Sequence, residues 1–146
     1  MTQEDKNILL QDLCNRLPYG VKCEIKGYKE VYTLNRIEID YENGHLFDFK
    51  EQKNGFNVQV YSSEVKPYLF PMSSMTEEQE EELKNIYYSI NNGMFYYTER
   101  IFDKVPFKKM KYFPYQIEEF FKKNHIDYRG LIPMGLALNA TNLNIY

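Results

Sequence analysis

The chain has 146 residues, of which 43% are hydrophobic and 27% charged, with a formal net charge of −3. That length fits one ordinary domain able to remove about two-thirds of its unfolded surface from water, and the composition excludes a disordered chain. No apolar run approaches the ~20 residues of a bilayer span and the acidic start MTQEDKNILL lacks the basic head of a signal peptide, so the expectation is a single cytoplasmic domain with no membrane partner.

Residues 2–17 read as a first helix: Thr2 with Asp5 forms a capping box, and Leu10, Leu13, Cys14 and Leu17 recur at three- and four-residue steps until Pro18-Tyr19-Gly20 stops them. The period then changes to two. Val21, Cys23 and Ile25 alternate with Lys22, Glu24 and Lys26 as a half-buried strand, and residues 30–40 make a second. Cys14 and Cys23 lie nine apart, neither a CxxC pair nor half of a zinc ribbon, and both read as buried small hydrophobes.

Asn43-Gly44 tolerates the positive φ of a tight hairpin turn and returns residues 45–50 against the second strand; Asn54-Gly55 repeats the signal before a fourth strand carrying Phe56, Val58 and Val60. The expected product is a four-stranded antiparallel meander over residues 21–61. Pro67 and Pro71 mark KPYLFP as an extended connector. Thr76, with Gln79 and the glutamates of residues 77–82, starts a second helix whose face is Leu83, Ile86, Tyr87 and Ile90. Residues 94–102 read as a strand, 105–111 as a basic loop, and Pro114 as the first residue of a third helix with Ile117, Phe120 and Phe121 inward. Residues 130–146 carry no charge and read as an apolar segment before a frayed end.

Charge is uneven along the chain. Residues 1–99 hold 10 basic and 17 acidic groups, whereas residues 100–129 hold 8 and 4. Lys122 and Lys123 have carboxylate partners four residues earlier in Glu118 and Glu119, which helix stability explains. Lys104, Lys108, Lys109 and Lys111, interleaved with Phe107, Tyr112 and Phe113, have no such explanation. With Tyr115, Tyr128 and Arg129 they form a basic aromatic binding surface, suited to a protein partner or to single-stranded nucleic acid through lysine–phosphate contacts and ring stacking.

His125, Asp127 and Arg129 alternate, so an extended backbone points all three to one side, the one arrangement here that resembles an acid, a base and an anion clamp. The structural reading of the same residues has His125 ending the helix, Asp127 tying a turn and Arg129 bridging to a carboxylate. Two histidines eighty residues apart supply no ligand spacing, and no phosphate-binding loop occurs, so neither a metal nor a cofactor is implied.

Two stretches, VKPYLFPMSSMTEEQEEEL at 65–83 and NHIDYRGLIPMGLALNA at 124–140, resemble a family of small uncharacterised proteins encoded by phages and mobile elements of Bacteroides-type gut bacteria. The resemblance implies a bacterial host and a protein acting on a host or phage component; it transfers no catalytic or binding role. The combined expectation is an α+β domain in the order αββββα(β)α, its meander covered by an N-terminal helix and two later helices. Its expected function is a non-enzymatic interaction module, the alternatives being a nucleic-acid binder using residues 104–115 and a small hydrolase or nuclease around His125.

Overall fold

The computed structural model describes residues 1–40, 44–51, 55–61, 64–90 and 114–146. Helix α1 (Gln3–Arg16) starts on the expected capping box, in which the Asp5 N–H donates to Thr2 Oγ1 at 3.1 Å and the Thr2 N–H donates to the Asp5 carboxylate at 2.7 Å. A 3-10 turn over Leu17–Tyr19 closes on Gly20, whose φ of +65° a side chain would oppose. Strands β1 (Lys22–Ile25), β2 (Tyr32–Asp40), β3 (Gly44–Glu51) and β4 (Asn57–Tyr61) then run antiparallel to their neighbours as predicted.

The sheet does not stop at four strands. Residues Val65–Leu69, expected as a connector, form β5 and pair antiparallel with β1. Their side chains alternate: Val65, Pro67 and Leu69 are buried, and Lys66 and Tyr68 are half-buried. Pro67 is tolerated because of its phase. The Lys26 N–H donates to the Glu64 carbonyl at 2.8 Å, so bonding positions fall at 26/64 and 24/66, and the Cys23↔Pro67 pair lies between them with the proline nitrogen facing away from β1. Leu138–Asn139 adds a short sixth strand, β6, parallel to β5, giving a mixed sheet of order β4-β3-β2-β1-β5-β6.

Helix α2 (Glu77–Ile90) carries its expected capping box, the Gln79 N–H donating to Thr76 Oγ1 at 3.2 Å and the Thr76 N–H to Gln79 Oε1 at 3.0 Å. Helix α3 (Tyr115–Lys123) starts one residue after Pro114, the expected first helical residue, which takes the N-cap position without a side-chain cap bond; Ile117, Phe120 and Phe121 are buried as predicted. The strand expected at 94–102 and the basic loop at 105–111 lie outside the described residues.

Leu9 and Leu13 of α1 cover the meander, packing in one cluster with Cys23, Ile25, Leu34, Phe47, Phe49 and Val60. Helices α2 and α3 were expected on the same sheet face. They instead pack on each other, and the buried members of their cluster (Leu83, Tyr87, Ile117, Phe120, Phe121, Ile126 and Tyr128) include none from β1–β4. Of the two cysteines only Cys23 is buried; Cys14 is exposed on the outer face of α1.

The C-terminal residue is pinned where fraying was expected. The Tyr146 hydroxyl accepts from the Lys22 N–H at 3.1 Å and donates to the Tyr68 carbonyl at 2.7 Å. In the phase set by Lys26 and Glu64, 22/68 is the next bonding position between β1 and β5, so the phenol bridges the ladder where the strands part. The ring keeps an exposed edge, but burial around its hydroxyl raises the phenol pKa.

Candidate functional site

Two charged residues of α1 lie where its apolar stripe meets the end of α3. Leu9, Asp12, Leu13 and Arg16 follow the i, i+3, i+4, i+7 pattern, and all four are fully buried. Arg16 Nε donates to Asp12 Oδ2 at 2.7 Å and Nη2 to Asp12 Oδ1 at 3.2 Å, a two-pronged pair one helical turn apart. The remaining donors reach across the molecule: Nη1 to the Phe121 carbonyl at 3.3 Å and Nη2 to the Ile126 carbonyl at 2.9 Å. Arg16 thus adds a charged donor to two carbonyls where the chain leaves α3, which also accept the Ile126 N–H at 2.9 Å and the Tyr128 N–H at 3.0 Å respectively. The sequence reading missed this pair, although charges at stripe positions 12 and 16 were its visible signal.

The chain leaves α3 through a Schellman motif. The Ile126 N–H donates to the Phe121 carbonyl at 2.9 Å and the His125 N–H to the Lys122 carbonyl at 3.2 Å, with His125 at φ +53° in the left-handed position usually given to glycine. A parallel bridge follows, the Phe70 N–H donating to the His125 carbonyl at 2.9 Å and the Asp127 N–H to the Phe70 carbonyl at 2.8 Å. The stretches 65–83 and 124–140 thereby become neighbours.

His125 is buried at 8% exposure, and its ring stacks on Tyr146 with centroids 3.9 Å apart and planes 18° apart. Its Nδ1 has no hydrogen-bond partner among the described residues. Burial, followed by the charges of Arg16 and Lys22, lowers its pKa from 6.5 to about 4, so the imidazole is neutral near pH 7. Asp127 is committed to a turn: Oδ1 accepts from the Leu131 N–H at 2.7 Å and Oδ2 from the Ile132 N–H at 2.8 Å. Arg129 runs back to α1, where Nη1 donates to Gln11 Oε1 at 3.3 Å and Nε lies 3.8 Å from Asp12 Oδ1; Nε also donates to the Tyr128 hydroxyl at 3.1 Å. The expected one-sided triad is not assembled, and the arrangement matches the structural reading of the same three residues. Replacing Asp127 with asparagine removes the charge and one acceptor, and is expected to cost about 2 kcal/mol in chemical denaturation.

Asp127, Tyr128, Arg129 and Gly130 do share a feature. With Ile132 and Pro133 they form one wall of a cleft of about 320 Å³, and Pro71, Met72 and Ser73 form the other. That volume lies at the small end of ligand pockets. The lining is mostly apolar, and Arg129 is its one basic side chain. Tyr115 stands apart from the cleft, 70% exposed, with the Lys122 ammonium 5.8 Å from its ring centroid.

Lys122 is held by Glu119 at 3.0 Å and Glu118 at 3.6 Å; burial lowers its pKa, but the Glu119 hydrogen bond and the surrounding charges outweigh that and leave it raised. Glu119 also accepts from the Tyr19 hydroxyl, so the expected Glu119–Lys123 pair does not form. Lys104, Lys108, Lys109, Lys111 and Tyr112 lie outside the described residues. Among the described residues no group of three or more His, Cys, Asp or Glu side chains is placed to hold a metal ion, and no helix is long and apolar enough to cross a membrane. Comparison of the chain with protein-family models, curated proteins and solved structures finds no match.

Proposed function

We propose that this chain is a non-enzymatic protein-interaction module whose contact surface centres on the cleft between residues 71–73 and 127–133. The observation that carries this reading is how the polar groups at the cleft are used. Both Asp127 oxygens accept backbone amides, and Arg129 is braced by Tyr128, Gln11 and Asp12. What faces a visitor is a firm apolar recess of Pro71, Met72, Ile132 and Pro133 beside a positioned guanidinium. A preordered recess with one oriented charge suits recognition of a side chain better than bond breaking, which needs an available base. The resemblance to phage and mobile-element proteins makes a component of a bacterial host or its phage the expected partner.

A photo-crosslinking residue placed at Ser73, on the cleft, and at Lys29, away from it, tests the reading in lysate of a Bacteroides-type host. The expected result is a discrete adduct from position 73 only, reduced about tenfold by Arg129→Ala. Identical adducts from both positions, or indifference to Arg129→Ala, would overturn it. The nucleic-acid alternative makes a different prediction, steeply salt-dependent binding of a labelled single-stranded oligonucleotide.

A further inference from the structure

We propose that the chain forms a two-fold dimer by pairing β4 with β4 of a second copy, joining two sheets edge to edge. The two sheet edges differ. β6 is only two residues long, which blunts that side, whereas β4 presents five residues and pairs with no further strand among the described residues. Natural edges are commonly guarded by lysine, proline or an inward charge. Residues 55–61 (GFNVQVY) contain none of these, so two copies that each carry −3 would meet along an uncharged strip.

The hydrogen-bonding phase of β4 suits self-pairing. The Glu51 N–H donates to the Phe56 carbonyl at 2.8 Å, which makes 51/56 a bonding position of the β3–β4 ladder. Alternation then turns the N–H and C=O groups of Val58 and Val60 toward β3 and those of Asn57, Gln59 and Tyr61 toward the open edge. An antiparallel partner centred on Gln59 sets Gln59 opposite Gln59 and Asn57 opposite Tyr61, all outward-facing positions, and so closes about six backbone hydrogen bonds. A register shifted by one residue places outward groups opposite residues already bonded to β3.

Side chains follow the same symmetry. Val58 meets Val60 of the other copy on the face that packs under α1, so the apolar cluster continues across the seam. Phe56, 68% exposed on that face, becomes the diagonal neighbour of the second copy's Val60, and Tyr61, 43% exposed, packs against Asn57 on the outer face. At roughly 150–250 Å² per aromatic side chain, the exposed parts of these four rings supply on the order of 300–550 Å². The strand backbones and the polar side chains bring the total toward the ~1,000 Å² of a specific interface, so the dimer is a weak one, with a dissociation constant on the order of micromolar.

Sedimentation velocity of the full chain from about 1 to about 200 µM is expected to show a concentration-dependent monomer–dimer equilibrium. Gln59→Pro removes one outward donor without touching a β3 bond, and Gln59→Lys places two like charges at the two-fold axis; each is expected to weaken the dimer about tenfold or more. In the wild type, hydrogen exchange at rising concentration gains protection at the Asn57, Gln59 and Tyr61 amides and not at Val58 or Val60. This readout stands even if Gln59→Pro fails to fold. A chain that stays monomeric throughout, or a dimer indifferent to both variants and to this alternation of protection, would overturn the proposal.

Discussion

Replacing Asp12 with alanine is expected to destabilise the protein by about 3–5 kcal/mol, a large share of the ~5–15 kcal/mol that holds a domain of this size together. The cost arises mainly from what remains. Arg16 is fully buried, and without Asp12 its charge keeps only the Phe121 and Ile126 carbonyls and the face of Tyr128, whose centroid lies 5.6 Å away. Arg129 loses a nearby carboxylate as well. A double variant, Asp12→Leu with Arg16→Met, removes both charges and is expected to recover about 2 kcal/mol relative to the sum of the single changes. Recovery stays incomplete because the Phe121 and Ile126 carbonyls each lose a charged donor and keep one backbone N–H. Urea denaturation of Asp12→Leu, Arg16→Met and their double variant measures the cycle; an Asp12→Ala loss under 1 kcal/mol would show that water reaches the pair.

Acidification should expose the second large effect, at His125. Its pKa is about 4 in the folded protein against 6.5 for an unperturbed histidine, so between these values the unfolded chain binds the proton and the folded one does not. The associated stability is therefore fully present above pH 6.5 and is lost as pH falls toward 4. The loss is at most about 3 kcal/mol, set by burial first and by the Arg16 and Lys22 charges second. His125→Asn is the suitable control, because asparagine tolerates the left-handed backbone and does not titrate. The variant starts lower, having lost the stack on Tyr146, but its stability should fall less steeply between pH 6.5 and 4.5 than that of the wild type. Equal pH slopes for the two proteins, measured by urea denaturation, would mean that His125 accepts its proton without disturbing the Tyr146 contact.

Helix starts and the antiparallel strands β1–β4 were legible because their causes are local. Thr2 with Asp5 and Thr76 with Gln79 cap helices through bonds three residues apart, and the period-two alternation of β1–β4 is written into consecutive side chains. β5 was hidden by Pro67. A proline is compatible with a strand only in one hydrogen-bonding phase, and that phase is set by Lys26 and Glu64 across the sheet. The place of Tyr146 was equally unreadable, since its hydroxyl fills a gap between two strands some eighty residues or more before it.

At the candidate site, sequence singled out Asp127, Tyr128 and Arg129 but not the facing wall of Pro71, Met72 and Ser73. Nor did it separate the two readings of His125, Asp127 and Arg129. That separation depended on which amides, carbonyls and charges arrive from α1, β5 and the turn after Gly130. For this protein, interactions spanning a few residues settled element type, caps and the inward faces of α2 and α3. The sixfold sheet, the burial of Asp12 with Arg16 and the cleft came only with tertiary structure. Each joins groups tens of residues apart, and whether a buried polar atom is satisfied depends on every segment that packs against it.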